Sequence, residues 1–163
     1  MLRCLSILAL SLAVASPAMG RDSLGLYGTW GAFRDPATPR CYAISMAEPN
    51  AQGRDYQPFA TIGTWPKRAA RNQIHFRLSR PMASRSPITL SIGTRRFALT
   101  GGGGDAWAAD AKDNAAIIAM MRSATRMQVR ARDSRGRPFT NAWQLAGAAS
   151  AMDSASIGCA KLD

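Results

Sequence analysis

The sequence has very little of the chemistry on which most metal and acid–base sites depend. Among its 163 residues there are one histidine, His75, and three cysteines. These counts exclude a zinc cluster of the Cys/His type and leave room for at most one histidine-based catalytic centre. The hydrophobic fraction of 47% is that of a globular protein, and the length suffices for one domain but not for two ordinary ones.

Acidic residues are also scarce. Asp and Glu number 10 against 21 Lys and Arg, the formal net charge is +11, and residues 56–104 contain no acid. Arg outnumbers Lys by 18 to 3, and guanidinium groups bind phosphate and carboxylate in a bidentate geometry. An anionic envelope glycan or lipid is therefore a candidate partner, and a solvated cationic surface without a specific ligand is the competing interpretation. No nucleic-acid partner is expected, because no nucleic-acid-binding module occurs.

Long apolar segments are absent except near the N-terminus. Cys4–Ala15 is an apolar run of twelve residues, shorter than the ~20 residues that a membrane-spanning helix needs. It follows a positive charge and precedes small residues at Ala18 and Gly20, an order typical of secretory signal peptides. We predict that residues 1–20 are a signal peptide cleaved before Arg21, with cleavage after Ala18 and a buried N-terminal helix as the alternatives. The remaining domain is then periplasmic or secreted and does not span the membrane.

Cleavage would remove Cys4 and leave two cysteines, Cys41 and Cys159. In an exported chain two cysteines predict one disulfide, here closing almost the whole domain, with free thiols as the alternative. A catalytic cysteine is not favoured, because neither residue has a CxxC partner and His75 is distant in sequence.

Two-residue alternation of polarity predicts that the exported part is mainly β. Such alternation predicts strands with one buried and one solvated face. The alternating segments are residues 73–79, 88–92, 96–99 and 126–132. A first hairpin is predicted from Leu26–Phe33 and Cys41–Met46, and residues 139–145 are predicted to pair with residues 126–132.

One helix is predicted to interrupt the strands. Asp110 is its expected N-cap, with Asp113 in the first turn. Residues 146–156 are small and predict a second short helix or a closely packed loop. Gly101–Gly104 is interpreted as a flexible connection between a strand and the helix, since no Gly-Lys-Ser/Thr follows to make a phosphate loop. We therefore expect a single-domain antiparallel β-sandwich or partly open barrel with one or two short helices.

Four arginines are the candidate polyanion-binding residues. Alternation places Arg126, Arg130 and Arg132 on the solvated face of one predicted strand, and Arg77 on that of another. The hypothesis is that they cluster and bind an anionic polymer with steep salt dependence. No pattern predicts a catalytic residue, a metal site or a cofactor. A buried His75 beside a carboxylate and a serine would favour a hydrolase, whereas a basic groove with aromatic walls would favour glycan binding.

Two segments near the start of the exported part form a G-x-W … C-Y pattern: Tyr27-Gly28-Thr29-Trp30 and Arg40-Cys41-Tyr42-Ala43-Ile44. This pattern resembles the opening hairpin of the invasion-associated locus B proteins, which are exported by alphaproteobacteria. The resemblance continues through residues 95–99, 117–121, 127–132 and 143–148, and the composition fits a sphingomonad-like subgroup.

The resemblance implies an exported β-sandwich. Together with the lack of a catalytic pattern, it leads us to predict a non-enzymatic β domain over residues 21–163, at the periplasm or cell envelope. Family members often carry further cysteines that are missing here, and only Cys41 matches, so the disulfide pattern must differ. The family supplies no catalytic residue, and its link to host-cell invasion is a phenotype rather than a biochemical activity. The alternative function is a cationic periplasmic protein that binds anionic glycans or lipopolysaccharide.

Overall fold

The computed structural model describes residues 20–68 and 70–160. Its elements are β1 (Asp22–Tyr27), β2 (Trp30–Asp35), β3 (Arg40–Met46), β4 (Phe59–Trp65), β5 (Ala70–Arg77), β6 (Ile88–Ile92), β7 (Arg95–Gly102), β8 (Asp105–Ala108), α1 (Ala111–Met121), β9 (Arg126–Arg132), β10 (Pro138–Gln144) and α2 (Ala148–Cys159). Residues 1–19, which hold most of the predicted signal peptide, lie outside the described residues. Within the described ranges, no helix combines the length and apolarity that crossing a bilayer requires.

The ten strands form one continuous antiparallel sheet in the order β1-β2-β3-β4-β5-β8-β7-β6-β9-β10. The free edge of β10 is covered by the connection between β3 and β4, because the Glu48 amide donates to the carbonyl of Ala142 at 2.7 Å. The Asn50 side chain donates to the carbonyl of Thr140 at 3.2 Å. Covering an edge removes a template for unwanted strand pairing. The predicted mainly antiparallel β class with two short helices is confirmed, and the ten-stranded open sheet is consistent with a β-sandwich or partly open barrel.

The strands predicted from alternation are found where one face is buried and the other solvated. In β5, Ile74 and Phe76 are buried, while His75 and Arg77 lie on the opposite face. β9 pairs with β10 along its whole length, from Arg126 opposite Gln144 to Arg132 opposite Pro138. The interpretation of residues 139–145 as the partner of residues 126–132 is therefore confirmed.

Two predictions about the connections are wrong. Leu26–Phe33 is not one strand, because a turn at Gly28 and Thr29 separates β1 from β2. Gly101–Gly104 does not connect a strand to the helix. It belongs to the β7–β8 hairpin, in which Gly103 has a φ of 57° that favours glycine.

The two helices pack on the sheet through small or aliphatic residues. Asp110 precedes α1, and its side chain accepts a hydrogen bond from the Asp113 amide at 2.8 Å, so the predicted N-cap is confirmed. α2 buries a row of small residues, including Ala148, Ala151 and Ala155. The helical alternative for residues 146–156 is thus the one that the structure adopts.

Cys41 in β3 is joined to Cys159 in the last turn of α2. Their Cα atoms are 5.5 Å apart and their sequence separation is 118 residues. This distance lies in the range of roughly 4.4–6.8 Å that disulfides require. The pairing agrees with the predicted disulfide, and it fixes the end of α2 to the inner face of the sheet.

Candidate functional site

The outer face of the sheet differs between its two halves. On β6 and β9 the outward positions are polar, and the register places Thr89 of β6 and Thr140 of β10 on either side of Arg130. Such a polar outer face is usual for an antiparallel sheet with one buried side. On β3, β4, β5 and β8 the outward positions carry aromatic side chains instead. Partly exposed apolar surface of this kind marks interaction sites.

These aromatic side chains line a groove with a volume of about 550 Å³. It crosses β3, β4, β5 and β8, and we refer to it as the aromatic groove. Its volume lies within the range of roughly 300–1,000 Å³ that is typical of small-molecule sites. Its aromatic lining comprises Tyr42, Phe59, Trp65, His75 and Trp107. The register brings these residues together from four separate strands of the sheet.

Gly63 allows Trp65 to lie across β4. A Cβ atom at Gly63 would come within 2.5 Å of the Trp65 indole, so any other residue would push the ring off the sheet. Gly63 pairs with Tyr42 on one side and with Gln73 on the other. The glycine thus lets the Trp65 indole lie flat on the groove floor between Tyr42 and Gln73.

His75 is held between two aromatic rings and a carboxylate. Its ring centroid lies 5.8 Å from that of Phe59 and 5.0 Å from that of Trp107. Its Nε2 atom is 2.9 Å from Oδ1 of Asp105, and the guanidinium of Arg77 donates to Oδ2 of the same carboxylate at 2.5 Å. Among the described residues, no serine or other nucleophile hydrogen-bonds to His75. The arrangement therefore supplies a polar wall for the groove.

Excess positive charge lies at the end of the groove where β3 begins. Arg40 donates to Asp35 at 3.2 Å, and Nε of Arg21 lies 3.9 Å from the same carboxylate. Two guanidinium groups share one carboxylate here, which leaves one positive charge in excess. Arg40 also lies 5.1 Å from the centroid of the Tyr42 ring, and this cation–π contact holds it against the aromatic wall. We refer to Arg21, Arg40 and Asp35 as the basic end of the groove.

The structure does not bring the four predicted polyanion-binding arginines together. Arg126, Arg130 and Arg132 share the exposed face of β9, as alternation predicts. Arg77 lies on β5, and three strands separate β5 from β9 in the sheet. The predicted cluster is therefore a row of three arginines and one distant residue.

Two of these four arginines are paired with acids. The guanidinium of Arg126 lies 2.6 Å from Oε2 of Glu48, and this hydrogen bond lowers the pKa of the Glu48 carboxyl. Arg77 is paired with Asp105, as described above. A polyanion would have to compete with these carboxylates for both arginines.

The other two arginines of the prediction differ in their contacts. Arg132 donates to the carbonyl of Gly136 at 2.9 Å. Arg130 makes no side-chain hydrogen bond or ion pair with any residue that the structure describes. The charge next to the aromatic groove comes instead from Arg21 and Arg40, which the sequence did not single out for binding.

Comparison with known proteins adds no relative from which a function could be transferred. The resemblance to the invasion-associated locus B proteins therefore stays a prediction. No protein-family model matches the chain, and no curated protein or solved structure matches it.

Proposed function

We propose that this chain is an exported, non-enzymatic protein of the cell envelope that binds an anionic saccharide in the aromatic groove. The observation that carries this proposal is the presence of aromatic walls and an excess positive charge in one concave site of about 550 Å³. Aromatic rings offer flat apolar surfaces against which the C–H faces of a sugar can pack. Guanidinium groups at the basic end can form charge-assisted hydrogen bonds with a carboxylate or phosphate.

Polar side chains between the rings support a sugar rather than a purely apolar ligand. Thr61 lies in the row between Ile44 and His75, and Gln73 lies beside Gly63. A few polar groups among apolar walls are the usual means of orienting a small ligand. A sugar ring matches this lining because it carries hydroxyl groups around an apolar face.

The charge of the whole chain favours an anionic ligand. A formal net charge of +11 attracts anions towards the surface and raises their association rate. Cleavage before Arg21 would also create an α-amino group at the basic end. An α-amino group is mainly charged at neutral pH, so it would add to the positive charge there.

The motif that resembles the invasion-associated locus B proteins supports the same proposal. In its Cys-Tyr pair, Cys41 faces the interior and is joined to Cys159, whereas Tyr42 faces the groove. Trp30 of the same motif is fully buried, and its indole donates to the carbonyl of Gln144 at 2.9 Å. The motif thus links the buried core to one wall of the groove, and we propose that the chain is an envelope protein of this type.

The proposal is tested with an anionic saccharide and a charge-matched control. Arg40→Gln is expected to weaken the binding of trigalacturonate about tenfold or more, since hydrogen bonds to charged groups contribute roughly 1.5–3 kcal/mol. Arg130→Gln removes the same charge from the exposed face of β9 and is expected to have little effect. Isothermal titration calorimetry at low salt measures both, and Arg21→Gln keeps the test valid should Arg40→Gln fail to fold.

A neutral trisaccharide separates stacking from charge. Trp65→Ala is expected to weaken the binding of both trigalacturonate and maltotriose, whereas Arg40→Gln should affect only trigalacturonate. Equal losses in Arg40→Gln and Arg130→Gln would favour a solvated cationic surface over a groove. A wild-type protein that binds neither saccharide would overturn the proposal.

A further inference from the structure

A second groove adjoins the aromatic groove. It has a volume of about 810 Å³ and lies between α1 and the first half of β5, and we refer to it as the helix groove. Trp107 and Gln73 line both grooves, so the two meet at these side chains. Trp107 is 37% exposed, which is unusual for so large an apolar side chain.

The lining of the helix groove combines small apolar residues of α1 with the polar side chains of Arg71, Asp110, Asn114 and Arg122. Ala111, Ala115 and Ala119 are spaced four residues apart, so they share one face of the helix, and all three are exposed. The buried residues of α1, Ile117 and Met121, lie on its other side. A surface helix usually presents polar residues to solvent. Here it presents a row of methyl groups to a groove that has room for a ligand.

The β5 edge in this groove is not available for pairing with a peptide strand. β8 pairs with β5 over residues 75–77, and beyond that point the Asn114 side chain takes its place. Oδ1 of Asn114 accepts from the Ile74 amide at 2.9 Å, and its Nδ2 donates to the carbonyl of Asn72 at 3.0 Å. The backbone groups that an added strand would need are therefore occupied. The helix groove offers apolar surface instead.

We infer that the helix groove holds the acyl chain of an acylated anionic saccharide whose sugar lies in the aromatic groove. This inference rests on the proposed function and narrows its ligand class to amphiphiles. The contiguity of the grooves at Trp107 allows one molecule to occupy both. The positive charge at the basic end of the aromatic groove complements the anionic headgroup. The apolar surface of the alanine row of α1 complements the acyl chain.

A pair of probes with the same headgroup tests the inference. N-acetylglucosamine 1-phosphate carries the sugar and the charge, and N-dodecanoylglucosamine 1-phosphate adds the chain. We expect the dodecanoyl probe to bind at least about tenfold more tightly, because each methylene group that becomes buried contributes a factor of about four. Calorimetry below the critical micelle concentration measures both affinities.

Two substitutions by tryptophan test whether the acyl chain binds in the helix groove. Ala115→Trp fills the helix groove and is expected to bring the dodecanoyl probe to within about twofold of the acetyl probe. The same variant should bind the acetyl probe as the wild type does. Ala109→Trp adds the same ring at an exposed position outside the groove and should leave both affinities unchanged. If the dodecanoyl probe still binds Ala115→Trp about tenfold more tightly than the acetyl probe, the inference is overturned.

Fluorescence gives an independent readout of position. A bromine atom on the acyl chain is expected to quench Trp107, whereas Trp30 and Trp143 are fully buried. The quenching should fall strongly in Trp107→Phe, in which Trp65 is the remaining partly exposed tryptophan. Quenching of undiminished strength in that variant would contradict the placement. Equal affinities of the wild type for both probes would refute the acyl inference and leave the saccharide proposal standing. A wild type that binds neither probe would refute both.

Discussion

Replacing Cys41 and Cys159 together by alanine is expected to lower the melting temperature by about 10 °C or more. The two cysteines are 118 residues apart, and in the chain-entropy model a cross-link over so long a loop contributes on the order of 4–5 kcal/mol. In a domain of this size, each kcal/mol lost from the free energy of unfolding lowers the melting temperature by roughly 2–4 °C or more. The loss follows mainly from the greater freedom of the unfolded chain. Calorimetry or circular dichroism of oxidised wild type and double variant measures it.

Reduction provides the control for the disulfide. The wild type treated with a reductant should melt close to the double alanine variant, and the double variant should not respond to the reductant. Alanine suits both positions because both cysteines are buried, where a serine hydroxyl would need a hydrogen-bond partner. A wild-type melting temperature that does not change on reduction would contradict a stabilising disulfide.

A single added methyl group at Gly147 is expected to destabilise the fold by about 3 kcal/mol. Gly147 precedes α2 with a φ of 89°, and a Cβ atom there would overlap the carbonyl group of Tyr27. The β1–β2 turn approaches the segment between β10 and α2 equally closely, because a Cβ atom at Gly28 would lie 2.7 Å from the carbonyl oxygen of Ala146. The two glycines thus allow the β1–β2 turn to pack directly against the segment after β10.

Gly136→Ala is the matched control for Gly147→Ala. Gly136 also has a positive φ, of 76°, but a Cβ atom there would meet nothing within 4 Å. It should therefore show only the conformational cost of a left-handed residue, about 1–2 kcal/mol. Urea unfolding of both variants measures the difference. Equal losses would mean that the close approach of Gly147 to Tyr27 does not contribute to stability.

The sequence was informative wherever burial alone determines the pattern. The second half of β5 and the whole of β9 bury every second residue against the core and leave polar residues outside, so their alternation predicted both the strands and their faces. β4 escaped prediction because its outer face also carries large apolar side chains, Phe59 and Trp65, so its polarity does not alternate. The same departure from alternation is what creates the aromatic groove.

The aromatic groove could not be assembled from the sequence, because its residues are far apart in the chain. Tyr42, Phe59, Trp65 and Trp107 lie on three different strands, and only the strand register places them on one surface. One signal was present in β4, where aromatic residues flank Thr61 and Gly63 at alternate positions. A basic groove with aromatic walls was expected to favour a glycan ligand. The structure shows aromatic walls with a basic end, and glycan binding stays a prediction.

Charge counting was a poorer guide to the site. The high density of arginine in β9 predicted that the polyanion-binding site lies on this strand. Ion pairing depends on the fold, and the approach of Glu48 to Arg126 joins residues 78 positions apart. Arg21 gains its place at the groove in the same way, through a carboxylate, Asp35, on a neighbouring part of the sheet. A cationic site therefore depends on which arginines the fold leaves in excess over the acids around them.

Titration of ¹⁵N-labelled protein with trigalacturonate tests the central claim most directly, because it reports where the saccharide binds. In ¹H–¹⁵N NMR spectra, we predict saturable chemical-shift changes at the backbone amides of Thr61 and Gln73. The indole N–H groups of Trp65 and Trp107 should shift as well. The indole of Trp143, which is fully buried, should not respond. Shift changes confined to the arginine row of β9, or no saturable change in the aromatic groove, would contradict the account.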